Sequence, residues 1–226
     1  VARIWEYDLF AIEEAARAYR EAAAIDPTDF ESLAHASRLC RALGRHDLSR
    51  AYAEAALAVA EGPELDEALQ SAFVARLRTG DDVGAIDALS SLAHHRMGDG
   101  DAFERLARHQ ARAKDVEGAI ESGLHALGIF RNRRPDRARH LAEWLVTLAP
   151  DRDDLLALHA DTLSLEGFGR AATALLAIAA LESTSVEERR TRLSAAAERA
   201  EQERRSDLAA DLLARAFDDD PGLGTC

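Results

Sequence analysis

Residues 80–86 read Gly-Asp-Asp-Val-Gly-Ala-Ile, and residues 114–120 read Lys-Asp-Val-Glu-Gly-Ala-Ile. The Gly84-Ala85-Ile86 triplet returns as Gly118-Ala119-Ile120, 34 residues later, and a matching acidic turn precedes each. A second pattern sets a small residue, an alanine or its equivalent, and a proline at spacings of 7 and then 5. It occurs as Ala15, Ala22 and Pro27 (after Asp26), as Ala138, Leu145 and Pro150, and as Ala209, Ala216 and Pro221 (after Asp220). Self-similarity at such a period is the mark of stacked supersecondary units.

Between these landmarks the apolar spacing is helical. Leu141, Trp144, Leu145 and Leu148 fall at i, i+3, i+4 and i+7. The same holds for Phe168, Ala171, Ala172, Leu175 and Ile178 and for Val116, Ala119, Ile120, Gly123 and Leu127, while Leu69, Ala72, Phe73 and Leu77 fall at i, i+3, i+4 and i+8. No run alternates with the period of two that a strand requires. Pro27, Pro63, Pro135, Pro150 and Pro221 lie between the periodic segments, where a missing N–H is harmless. Thr28-Asp29-Phe30-Glu31 and Ser185-Val186-Glu187-Glu188 read as capping boxes. Asp47, Asp82, Asp115, Asp151 and Ser206 read as N-caps, and Gly44, Gly80 and Gly167 as helix stops. The expected helices cover 12–25, 29–43, 47–60, 64–78, 82–96, 101–113, 116–130, 135–148, 152–165, 168–182, 186–203 and 206–218, with the end of another over 2–9. Gly123 and Gly128 each weaken their helix by about 1 kcal/mol relative to Ala.

The 226 residues are 47% hydrophobic and 31% charged, with a net charge of −13, and this composition supports a packed, acidic, all-α protein. No stretch approaches the length of a membrane span. The negative charge repels nucleic acid, so no nucleic-acid partner is expected. Cys40 and Cys226 stand too far apart in sequence to suggest a disulfide, which points to a reducing, cytoplasmic compartment. The scarcity of lysine (Lys114 alone) suggests a GC-rich bacterial gene, and the opening Val1 suits a piece of a longer protein.

The repeat landmarks resemble those of the tetratricopeptide repeat family, whose helix-turn-helix units carry small residues at fixed offsets and close their second helix with a proline. The resemblance implies an all-α, αα-hairpin solenoid wound as a right-handed superhelix, of about twelve to thirteen helices. The expected units are a truncated first one over 1–27, then 28–63, 64–99, 100–134, 135–182 with a register slip, and a terminal 183–226, together forming a single array. Leu33, Leu69 and Leu155 stand where the family carries an aromatic, Ala119 to Ala138 is only 19 residues, and Ala171 to Ala209 is 38.

In that family the first helix of each unit lines a concave groove that binds partner peptides or proteins. The resemblance therefore implies a protein-interaction scaffold and not an enzyme, with no cofactor. Groove positions transfer to Glu31, Ala34, Arg38, Arg41 and Ala42, then to Glu67, Gln70, Val74, Leu77 and Arg78, then to Asp101, Glu104, Arg108, Ala111 and Arg112. Arg38, Arg41, Arg78, Arg108 and Arg112 form a basic stripe suited to an acidic peptide segment, because guanidinium forks hold carboxylates through paired N–H bonds. The competing reading has each arginine paired with a glutamate on an adjacent turn. The Lys and Asn carboxylate clamp of chaperone-binding members is missing, since Lys114 and Asn132 are the only residues of their types and neither is a groove position.

A second basic cluster comprises Arg131, Arg133, Arg134 and Arg137, with Arg139 and Asn132, beside Phe130. It reads either as a contact for an acidic partner or as a solvated inter-helix loop. The eight histidines show no metal-ligand spacing, and the nearest thing to a pair is His140 with Glu143. Nucleophile and phosphate-loop motifs are absent, so no catalytic or metal residue is named. The truncated first unit would leave an apolar face for self-association through the N-terminal end. The alternative function is that of an intramolecular regulatory helical domain in a larger signalling or transcription protein.

Overall fold

Ala and Leu dominate the periodic segments and lose little side-chain freedom in a helix, so the local preference of the chain is helical along its length. The computed structural model describes residues 2, 3, 5 and 11–218, except for the side chains of Phe217 and Asp218. Among these residues there are twelve helices and no strand. They are α1 (Ile12–Ile25), α2 (Phe30–Ala42), α3 (His46–Val59), α4 (Glu64–Arg78), α5 (Asp82–His95), α6 (Gly100–Arg112), α7 (Val116–Arg133), α8 (Pro135–Leu148), α9 (Asp153–Leu165), α10 (Gly169–Glu182), α11 (Val186–Gln202) and α12 (Ser206–Asp218). The all-α expectation holds, and each expected boundary lies within three residues of the observed one. The half-unit expected over 2–9, Pro221 and Cys226 fall outside the described residues, apart from Ala2, Arg3 and Trp5.

Five helix ends are built alike. Gly44, Gly80, Lys114, Gly167 and Arg204 all adopt positive φ, between 58° and 83°. In each case the next N–H reaches five residues back: Arg45 to Cys40, Asp81 to Arg76, Asp115 to Gln110, Phe168 to Leu163 and Arg205 to Ala200, all at 2.8–3.0 Å. The left-handed residue itself donates three residues back, to Arg41, Leu77, Ala111, Ser164 and Glu201. These are Schellman caps, which satisfy the orphan carbonyls of the last turn. Glycine takes this conformation without strain, whereas a Cβ costs about 1–2 kcal/mol. Lys114→Gly and Arg204→Gly are therefore expected to raise the urea midpoint, with a net gain in stability of ~0.5–1 kcal/mol after the extra unfolded-state freedom of glycine is subtracted. Gly80→Ala is expected to lower it. Identical midpoints for all three variants would show that these turns carry no strain.

Several caps differ from expectation. Asp81, not Asp82, caps α5 by accepting from the Gly84 N–H, and Asp99 caps α6 through the N–H groups of Asp101 and Ala102. Ser185 caps α11 as expected, by accepting from the Glu188 N–H. Thr28 forms no capping box: its N–H and hydroxyl donate to Asp26 Oδ1 at 3.0 and 2.7 Å, which closes the turn one step earlier. The segment Arg131-Asn132-Arg133 is not a loop but the last turn of α7. Nothing in Arg-Asn-Arg stops a helix, and only Pro135 does so, as the first residue of α8.

The chain forms two compact units, Val1–Asp115 and Val116–Cys226. In the first, α2 packs on α1, α3 and α4, and α5 packs on α4 and α6. Small residues permit these close crossings. Ala15, Ala16 and Ala36 are fully buried, and Ser37 donates to the Ser49 carbonyl at 2.9 Å with Ser71 Oγ 3.2 Å away, where α2, α3 and α4 meet. Cys40 is fully buried there, as expected of a packed residue. In the second unit α7 to α12 pack in chain order, and α9 to α12 enclose a core of Leu156, Leu176, Leu193 and Leu212 with alanines between them.

Candidate protein-binding face

Within the first unit α2 packs on α4, and α4 meets α6 through side chains. Phe73 of α4 meets His109 of α6 edge-on at 5.1 Å, and the Arg105 guanidinium lies over the Phe73 ring at 5.3 Å. Arg41, at the end of α2, is half-buried. Burial, and then the positive fields of Arg38 and Arg78, push its guanidinium below its ordinary pKa. Arg41 and Arg78 form no ion pair among the described residues. Arg38 is tied locally: its Nη2 is 2.7 Å from His35 Nδ1, and His35 stacks on Tyr19 at 4.6 Å. The structure thus gathers three of the five stripe arginines, from two helices.

The fourth, Arg112, lines a concavity of about 190 Å³ with Leu77, Asp82, Ile86, His109 and Ala113. Burial, followed by the fields of Arg112 and Arg105, holds His109 below the usual imidazole value, so its ring is neutral at pH 7. Leu77 is 39% exposed, and the concavity carries one cation, Arg112, and one carboxylate, Asp82. The fifth, Arg108, is paired with Glu104 one turn away at 2.9 Å, as the competing reading expects. Of the remaining groove positions, Gln70 is exposed and Val74 half-buried on α4, whereas Ala34 is buried. Asp82, Ile86 and His109 were not foreseen, and no signal local to α4 or α6 indicates that these positions meet in one concavity.

The second basic cluster has structural work of its own. The Arg137 and Arg134 guanidiniums lie over the buried Phe130 ring at 4.7 and 5.6 Å. Arg131 reaches Asp161 at 3.9 Å, and Arg139 donates to Glu166 at 2.6 Å. Arg133 is exposed. His140 and Glu143 are both exposed and 3.8 Å apart. Among the described residues no three His, Cys, Asp or Glu side chains are grouped to hold a metal, and no helix is long and apolar enough to cross a membrane.

Comparison with solved structures bears on the fold. A tetratricopeptide repeat protein from Parabacteroides merdae ATCC 43184 superposes over 96% of this chain and 90% of its own, with a TM-score of 0.50 and 14% identity. The chain has a tetratricopeptide-like fold. MamA is similar over 97% of this chain and 94% of its own, at 14% identity and a TM-score of 0.48. PilW, a type IV pilus biogenesis factor, is similar over 84% and 78%, at 22% identity and a TM-score of 0.44. No protein-family model matches the sequence, and no curated protein sequence does.

Proposed function

We propose that this tetratricopeptide-like chain is a protein-interaction scaffold, and that the ends of α2, α4 and α6 receive an acidic segment of a partner protein. The observation that carries this is Arg41: a half-buried guanidinium set among Arg38 and Arg78, with no carboxylate among the described residues bound to Arg41 or Arg78, in a chain of net charge −13. Crowding like charges in a partly dry setting costs free energy, and an incoming carboxylate relieves it through charge-assisted N–H bonds. Arg112 extends the positive field toward the concavity, where Leu77 and Ile86 offer apolar surface to a flanking side chain. Arg41, Arg78 and Arg112 stand in last helical turns, at the negative end of the helix dipole.

The test uses a fluorescent twelve-residue peptide of alternating Glu and Leu, with a Lys and Leu peptide as control. The acidic peptide is expected to bind and to weaken steeply with added salt. Arg41→Glu and Arg78→Glu are each expected to reduce its affinity about tenfold or more, equivalent to ~1.4 kcal/mol. Arg108→Glu, already paired with Glu104, is expected to change it by less than about threefold. Equal affinity for the two peptides, or binding indifferent to Arg41→Glu, would remove the proposal.

A further inference from the structure

The apolar periodicity at 168, 171, 172, 175 and 178 straddles the two faces of its helix: Ala172 is buried and Leu175 packs against the core, whereas Phe168, Ala171 and Ile178 are exposed. The buried face of α10 carries Ala172, Thr173, Leu176 and Ala180. Ile178 is 55% and Leu181 69% exposed, with Ala171 and Ala174 exposed on the same side. These four positions advance by three, four and three residues, the spacing of a heptad seam. From Ala171 to Leu181 the helix carries no charge. A helix that is apolar on both faces is ordinarily covered on both, and an exposed apolar stripe marks an association surface.

We propose that this stripe pairs with the same stripe of a second copy of the chain, the two α10 helices running antiparallel about a two-fold axis. The seam is small at its N-terminal end and large at its C-terminal end. Antiparallel pairing centred on position 176 sets Ala171 opposite Leu181 of the second copy, and Ala174 opposite Ile178 of the second copy. Each large side chain then meets a small one, the condition for interdigitated packing. Parallel pairing would oppose Leu to Leu and Ala to Ala, giving a bulge at one end and a gap at the other.

Charge selects the same arrangement. Arg170 and Glu182 bound the stripe, both are exposed, and neither has an ion-pair partner among the described residues. Antiparallel pairing brings Arg170 of each copy level with Glu182 of the other, whereas parallel pairing would bring like charges together. The helix dipoles favour the antiparallel choice as well. An isologous contact of this kind closes at two copies and does not propagate. The surface lies in the second unit and is independent of the docking face in the first.

Sedimentation equilibrium of the full chain, over about 1–500 µM, is expected to show a monomer–dimer equilibrium. Ile178→Glu and Leu181→Glu should each weaken dimerisation about tenfold or more with unchanged helix content by circular dichroism. Arg170→Glu should weaken it, and adding Glu182→Arg should restore it. A chain monomeric across the range, or a dimer unaffected by Ile178→Glu, overturns the proposal and leaves the stripe to a partner of different sequence. If Ile178→Glu loses helix content, the Arg170 and Glu182 exchange decides: failure of the double variant to recover association overturns it.

Discussion

Gly123→Val is expected to lower the stability of the second unit by about 2–4 kcal/mol, while Gly128→Ala, five residues along the same helix, raises it by about 1 kcal/mol. Both glycines lie inside α7, and propensity alone treats them identically. Their surroundings separate them. A Cβ at Gly123 would lie 2.6 Å from one methyl of Leu145 and 3.2 Å from the other, whereas one at Gly128 would meet nothing within 4 Å. Leu145 is fully buried in α8, so it has little room to retreat. Gly123 is thus the notch that lets α8 approach α7, and its intrinsic cost to the helix is offset by that packing. Leu145→Ala introduced with Gly123→Val should recover part of the loss, a coupling that a double-mutant cycle in urea reads directly. If Gly123→Ala and Gly128→Ala shift the urea midpoint equally and in the same direction, the notch is not a packing feature.

Arg192→Ala is expected to cost about 2–4 kcal/mol, although arginine in a helix is ordinarily an exposed and replaceable residue. Arg192 of α11 is only 8% exposed. Its Nε donates to Asp153 Oδ1 at 2.7 Å, and its Nη1 donates to the Ala179 carbonyl at 3.0 Å and to Ser183 Oγ at 2.8 Å. One side chain therefore ties the start of α9 and the end of α10 to α11. Truncation leaves these acceptors short of a donor and opens a void. Arg192→Met keeps most of the volume and should cost less than Arg192→Ala. Arg192→Lys should fall short of wild type, because a single ammonium does not reproduce the fork that serves three acceptors in different directions. An Arg192→Ala chain within about 0.5 kcal/mol of wild type in urea would show the clasp to be idle.

These two residues also show where reading the sequence reaches its end. Gly123 could be recognised as a helix weakener, but the methyl groups that occupy its missing Cβ come from Leu145, 22 residues away. Arg192 stands among other charged residues at the start of α11 and bears no local mark of burial. The left-handed turns divide the same way. Gly44, Gly80 and Gly167 announce themselves, whereas Lys114 and Arg204 adopt the same geometry without the residue that signals it. Along α10 the periodicity was correct in kind but mixed two faces, taking in the buried Ala172 together with the exposed Ala171 and Ile178, because a helix apolar on both sides gives the same spacing for either.

The amino-acid order on its own determined the class of the fold: the twelve helices of the described residues, their limits within three residues, and small residues at the crossings. Those features follow from interactions within four or five positions along the chain, between side chain and backbone or between successive turns, so they are written locally. Only the tertiary structure decided which arginines are free and which are paired. Arg108 finds Glu104 one turn away, but Arg139 finds Glu166 at 27 positions' distance and Arg192 finds Asp153 at 39. Among the described residues, the charge left over on Arg41 and Arg78 is the remainder after such distant partners have been matched. It is set by how the helices pack, since the energy of an ion pair depends on separation and burial in space and not on separation along the chain.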